Sequence, residues 1–151
     1  MQRPRTAELP YEADTAPRFA VLAGRPWSIF LDSGRPYTNQ GRYDIFAADP
    51  YFTLSTRGQE TEIWTRHSIQ VSVENPFYLV KRCLEAPRTG APSVPFSGGA
   101  MGYFAYDLGR RLEKLPAVAA NDITLPDMAI GFYDWAVIVD HVEKRAFVVG
   151  Y

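Results

Sequence analysis

Cysteine occurs once in the 151 residues, at Cys83. A single thiol excludes an internal disulfide framework and fits a reducing compartment. Histidine is almost as scarce, with only His67 and His141. The two lie far apart, each beside charged or polar residues where turns are expected, so they read as surface side chains rather than a metal pair. An excess of one charge is missing too. Sixteen Lys and Arg against seventeen Asp and Glu leave a net charge of −1, which offers no reason to expect nucleic acid or a membrane surface as partner. No apolar run approaches the roughly 18 residues that span a bilayer. The opening MQRPRTAELPYEAD lacks the apolar core of a signal peptide and carries acids unlike a transit peptide, so a cytoplasmic protein is expected. Also absent are a phosphate-binding GxxxxGK[ST] loop, GxGxxG after a strand, HExxH and CxxC. Neither an internal repeat nor a low-complexity tract is present.

What remains is ordinary globular material, 46% hydrophobic and 22% charged. A chain of this length is most simply one domain, 1–151, with a single sizeable core. Its 14% aromatic content fits strands and a two-layer core better than a helical bundle. Residues 1–12 hold Pro4 and Pro10 without periodicity and read as a loosely held, flexible arm. Asp14 and Thr15 are good helix caps, and Pro17 suits a first turn, so a short helix is expected to end at Gly24. Trp27, Ile29 and Leu31 alternate with Ser28, Phe30 and Asp32 as a strand that breaks at Ser33-Gly34. Short strands follow at 42–48, 51–57, 61–65 and 68–73, separated by turn signals such as Asp49-Pro50 and Gly58-Gln59, and imply an antiparallel meander. Asn75-Pro76 starts a helix through about Glu85, with Cys83 on its apolar side as a core thiol. A Pro/Gly loop covers 87–95, and 115–121 is irregular or briefly helical. Residues 127–140 read as one long strand with a bend at Gly131, and 146–149 returns as the second arm of a hairpin. These signals predict an α+β domain: mainly antiparallel β-sheet, sandwich-like, with a few helices.

The organising stretch is 95–111, PFSGGAMGYFAYDLGRR. Its Gly98-Gly99 marks a close backbone approach and is explained equally by an anion cradle or a plain turn. Residues 100–106 read as a buried aromatic strand. Asp107 with Arg110 and Arg111 reads first as structural ion pairing. A more suggestive constellation lies upstream. Asp32-Ser33-Gly34 ends one strand and Gly41-Arg42-Tyr43-Asp44 begins the next. If the strands are neighbours, Ser33, Arg42 and Tyr43 converge at one pocket mouth. Arginine offers fixed donors to a carboxylate, serine donates and accepts, and Tyr43 with Phe30 supplies stacking surface.

Four blocks carry a resemblance: PWSIFLDSG (26–34), RYDIFAADP (42–50), PFSGGAMGYFAYDLGRRLEKLP (95–116) and LPDMAIGFYDWAVIVDH (125–141). In this order they resemble the N-terminal domain of the aminodeoxychorismate synthase component I family, also called para-aminobenzoate synthase component I, sister to anthranilate synthase component I. The YDLGRR-E-LP wording resembles the aminobenzoate branch more than the anthranilate branch. The resemblance implies a β-rich domain that packs against a larger C-terminal chorismate-binding catalytic domain. The full-length enzyme replaces the 4-hydroxyl of chorismate with an amino group, on the route to p-aminobenzoate and folate. It uses Mg²⁺ and ammonia from a glutamine amidotransferase subunit. The catalytic lysine and metal-binding acids of that family belong to the C-terminal domain, whose motifs do not occur here. No catalytic residue, no metal site and no cofactor are therefore expected within these 151 residues, which alone should be inactive. Such an isolated domain should also expose the apolar face that meets the catalytic half, and so self-associate or show limited solubility.

The resemblance also implies a tryptophan pocket formed by Leu31, Asp32 and Ser33 with Gly41, Arg42 and Tyr43, and L-tryptophan as its ligand. Gln40 and Gly41 stand where aminobenzoate enzymes often show Tyr-Ser, and Asp32 stands for the glutamate of the feedback-inhibited branch. Two alternatives are carried forward. One is the regulatory domain of an anthranilate synthase, with a tryptophan feedback site. The other is a free-standing ligand-binding module.

Overall fold

The structure, a computed structural model, describes residues 4–84, 94–114, 116 and 124–151. The chain divides into two compact units, one mainly Met1–Tyr51 and Phe132–Tyr151, the other mainly Phe52–Ala86 and Ala100–Gly131. Most of the loop expected at 87–95 and the segment 115–121 fall outside the described residues.

The first unit is built on β1 (Arg5–Leu9), β2 (Ile29–Leu31), β3 (Tyr43–Ala47), β9 (Trp135–Asp140) and β10 (Arg145–Gly150), in the order β1-β10-β9-β3-β2. All its pairings are antiparallel. The central strand β9 is apolar along almost its whole length, and Ala136 to Asp140 are all buried, as a strand covered on both faces requires. Phe46, Val137, Val139 and Ala146 form the core, with Leu9, Phe19, Phe30 and Trp135 against them. Helix α1 (Ala16–Ala20) contributes Phe19, whose ring stacks on Phe30 at 4.9 Å and meets Phe46 edge-on at 5.9 Å. Phe30 and Phe46 face each other across the β2–β3 pairing, the cross-strand contact that holds so short an edge strand in place.

The second sheet, mainly in the second unit, is formed by β4 (Phe52–Arg57), β5 (Glu60–Thr65), β6 (Ile69–Ser72), β7 (Gly99–Phe104) and β8 (Met128–Tyr133), in the order β6-β5-β4-β8-β7. Strands β4, β5 and β6 form a meander with tight turns. Helix α2 (Pro76–Leu84) starts at Asn75, whose Oδ1 accepts from the Phe77 amide at 2.9 Å. Phe77 stacks on Phe104 of β7 at 5.6 Å. A 3₁₀ helix, Tyr106–Arg111, follows β7. Within it Arg110 pairs with Asp107 at 3.0 Å, the structural pairing expected of those charges. Cys83 is half-buried, and that burial pushes its thiol pKa up.

Four expectations are corrected. Residues 5–9 are not a loose arm but β1, zipped to β10 from Arg5↔Gly150 to Leu9↔Ala146. Strand β3 does not belong to the meander; the turn at Asp49, at φ +52°, diverts the chain from the first sheet before β4 begins. The run 127–140 is two strands. They part at Asp134, not Gly131, because β8 and β9 lie in different sheets. Helix α1 also stops early and passes into turns at 21–24.

Two positions test this packing. A Cβ at Gly102, φ +155°, would lie 2.0 Å from the Ala129 carbonyl oxygen of β8. Gly102→Ala should therefore cost about 2–3 kcal/mol, read as a lowered urea midpoint. Tyr133 donates from its hydroxyl to the Trp27 carbonyl at 2.7 Å, and burial pushes its pKa up to about 12. Tyr133→Phe should lower stability by about 1–2 kcal/mol in the same assay, without change between pH 7 and pH 10.

Candidate functional site

Antiparallel pairing of β2 and β3, with Leu31 opposite Ile45, makes the two candidate segments neighbours. The loop between them is organised by its own side chains. Asp32 Oδ1 accepts from the Gly34 amide at 2.7 Å, and Gly34, at φ +80°, turns the chain. Arg35 donates Nε to the Gly41 carbonyl at 3.0 Å and its two terminal nitrogens to Oδ1 and the carbonyl of Asn39, both at 3.1 Å. This clamp returns Gly41 onto Ser33. A Cβ at Gly41 would stand 2.2 Å from the Ser33 Cβ, so only glycine permits the approach.

Beneath this contact lies a carboxylate. Asp44 is fully buried, on the β3 face that also presents Phe46 to the core. Its Oδ1 accepts from the Ser33 amide at 2.8 Å. Its Oδ2 accepts from the Thr15 hydroxyl and faces His141 Nε2 at 2.8 Å. With the proton on Nε2, His141 Nδ1 is left to accept from the Tyr11 hydroxyl, 3.2 Å away. The Tyr11 and His141 rings also meet edge-on, with centroids 5.8 Å apart. Burial alone would raise the Asp44 pKa. The Ser33 and Thr15 hydroxyls, the Ser33 amide and His141 outweigh it and hold the carboxyl below its ordinary value. The Ser33 hydroxyl oxygen is buried and turns toward this carboxylate without closing a hydrogen bond of good geometry.

Arg42 and Tyr43 form a second group. The Arg42 guanidinium lies 4.7 Å above the Tyr43 ring centroid. Its Nε approaches both Asp140 carboxylate oxygens at 3.1 Å, and Nη2 bonds Oδ2 at 2.8 Å. Asp140 also accepts from the Val142 and Glu143 amides at the start of the hairpin turn. Burial opposes the Asp140 charge, but Arg42 and these amides leave its pKa lowered. The structure thus brings Ser33 and Gly41 together over Asp44, and stacks Arg42 on Tyr43 beside Asp140. Leu31 and Asp32 are exposed. The donors of Arg42 already serve a carboxylate of the chain itself.

His141 corrects an expectation. It is 6% exposed and not a surface side chain. The ladder runs one residue past β9, since the His141 amide donates to the Arg42 carbonyl at 2.8 Å. Val137, Val139 and His141 therefore share the core face. That period-two alternation is the signal in the sequence, masked by the polar residues that follow it. Asp44 carried a similar signal, two residues before Phe46. Thr15 occupies the N-cap but makes no side-chain capping bond, because its hydroxyl serves Asp44. His67 is exposed.

Both aspartates have depressed pKa values in the folded state, so their stabilisation is present above the ordinary value of 3.8 and fades as pH falls through the folded values. Acid titration should show stability falling steeply below pH 4. Asp44→Asn should flatten that fall, and Asp44→Ala should cost roughly 3–5 kcal/mol at pH 7 in denaturant unfolding, because it strands His141 and Thr15.

No protein-family model matches the chain. Aminodeoxychorismate synthase component 1 of Salmonella typhimurium is 45% identical over 98% of the chain, and that of Klebsiella aerogenes 42% over all of it. The chain covers 34% of each, so it spans about a third of the length of the curated relatives it matches. Anthranilate synthase component 1 of Acetivibrio thermocellus is more distant, 33% identical over 80% of the chain and 25% of that protein. In fold, the chain is similar to the crystal structure of anthranilate synthase component I from Streptococcus pneumoniae, with TM-score 0.65, 21% identity and coverage of 96% of this chain and 32% of that one. The chain is thus a homologue of the N-terminal part of aminodeoxychorismate synthase component 1, with anthranilate synthase component 1 as its more distant kin.

Proposed function

We propose that the chain acts as the non-catalytic N-terminal region of an aminodeoxychorismate synthase. In this role it supports a chorismate-binding catalytic domain and helps seat a glutamine amidotransferase subunit. The observation that carries the reading is the 45% identity sustained over 98% of the chain, against 33% for the anthranilate relative. The full polypeptide would replace the 4-hydroxyl of chorismate with an amino group drawn from ammonia. Among the described residues no cluster of three or more His, Cys, Asp and Glu side chains could hold a metal ion. The residues described here do not fit the Mg²⁺ of that reaction, and no step is assigned to them.

The role proposed for the Ser33–Gly41–Arg42–Tyr43 region is to hold L-tryptophan or a similar indole amino acid. Ser33 is held against Gly41 at the turn, and Tyr43 brings a ring already stacked by a cation. Arg42 would meet the ligand carboxylate by sharing its guanidinium with Asp140, whose contacts leave Nη1 free of that carboxylate.

Two experiments test the reading. Expressed as a polypeptide of its relatives' length, with a glutamine amidotransferase, the protein should convert chorismate to 4-amino-4-deoxychorismate, whereas the 151-residue chain alone should not. Release of anthranilate instead would assign the chain to the other branch. In calorimetric titration with L-tryptophan, Arg42→Ala should abolish the binding heat and Gly41→Ala should weaken affinity at least about tenfold, near 1.4 kcal/mol, by displacing Ser33. Unchanged affinity in both variants would remove tryptophan from this region.

A further inference from the structure

Sheet edges present unpaired N–H and C=O groups and need protection from other chains. In the first sheet β1 carries Arg5 and Glu8 between Pro4 and Pro10, and β2 is only three residues long. In the second sheet β7 is distorted by Gly99 and Gly102, at φ +144° and +155°. Edge strand β6 has no such device. The run Ile69-Gln70-Val71-Ser72-Val73 contains no charge and no proline. Ile69, Val71 and Val73 are 64%, 62% and 74% exposed and alternate onto one face.

The phase of the ladder adds a second observation. The Thr65 amide donates to the Ser68 carbonyl at 2.9 Å, in register with the pairs Ile63↔Gln70 and Thr61↔Ser72. Hydrogen-bonded pairs alternate along an antiparallel ladder, so Gln70 and Ser72 direct their backbone groups at β5. Ile69, Val71 and, by continuation, Val73 direct theirs away from the sheet. The residues that bare apolar side chains therefore also bare the free backbone groups.

We propose that β6 is a self-pairing edge, at which a second copy of the chain adds its own β6 antiparallel about a two-fold axis through Val71. Val71 then faces Val71 of the second copy, and Ile69 faces Val73 of the second copy on either side. Each of these three pairs exchanges two backbone hydrogen bonds, and one face becomes a continuous apolar ladder. At each end the register brings Glu74 of the second copy, which pairs with Arg82 of its own chain at 3.0 Å, opposite Ser68 and diagonal to Arg66. A contact of this length buries less than the roughly 1,200–2,000 Å² of a standard interface, so the dimer is weak and concentration-dependent.

Sedimentation of the 151-residue chain over a hundredfold concentration range should show the apparent mass rising toward twice that of the monomer. Val71→Lys places like charges on the axis, and Val71→Pro deletes an outward N–H without touching the β5 ladder. Both should remain monomeric throughout with unchanged far-ultraviolet dichroism. Hydrogen exchange on the unaltered chain gives a readout that needs no variant. The amides of Ile69, Val71 and Val73 should slow as concentration rises, while those of Gln70 and Ser72 stay slow throughout. A monomer at every concentration, a dimer that Val71→Lys leaves within twofold of its original affinity, or concentration-independent exchange at Val71 would each overturn the proposal.

Discussion

A carboxylate placed inside an apolar core must be met by donors or it does not stay charged. Asp44 is that constraint, and much of the first unit is arranged around it. Its partners come from the residue before α1, from the loop after β2 and from the residue after β9. Each gives something up locally. Thr15 makes no side-chain capping bond to its own helix, Ser33 commits its amide, and His141 turns inward beside exposed residues. Tyr11 is the outer member, and it ties the segment after β1 to the same hub.

The candidate ligand region inherits its shape from this hub. Ser33 stands where it does because its amide is pinned to Asp44, and Gly41 because Arg35 presses it onto Ser33. Arg42 differs. It is exposed and held by the chain's own Asp140, so any carboxylate ligand competes with a partner already in place. Such an arrangement favours discrimination over tight binding, because a ligand must offer more than charge to gain from a guanidinium already paired.

The strands of the meander and the start of α2 were legible because their signals are local: Gly58-Gln59 between β4 and β5, and Asn75-Pro76 at the helix. The neighbouring of β2 and β3, on which the candidate region rests, was legible only as a condition. Less legible were features decided by distant partners. Residues 5–9 have no strong strand signature, and they form one because β10 offers an open edge. The sheet assignment of β3 depends on β9, more than ninety positions later. His141 was obscured for a different reason. The polar residues after it suggested a turn, while the alternation with Val137 and Val139 spoke for the core.

The sequence spacing of the hub has a kinetic meaning. Tyr11 and His141 are 130 positions apart, and Asp44 and His141 are 97 apart. Contacts of such separation close large loops, whose entropy cost must be met before the contact stabilises the fold. During synthesis Tyr11, Thr15, Ser33 and Asp44 emerge long before their imidazole does. Until His141 leaves the ribosome the buried carboxylate has no ring partner, so the hub is completed only when the β9–β10 hairpin forms. Closure of that hairpin thus couples the shape of the Ser33–Tyr43 region to the arrival of β9 and β10.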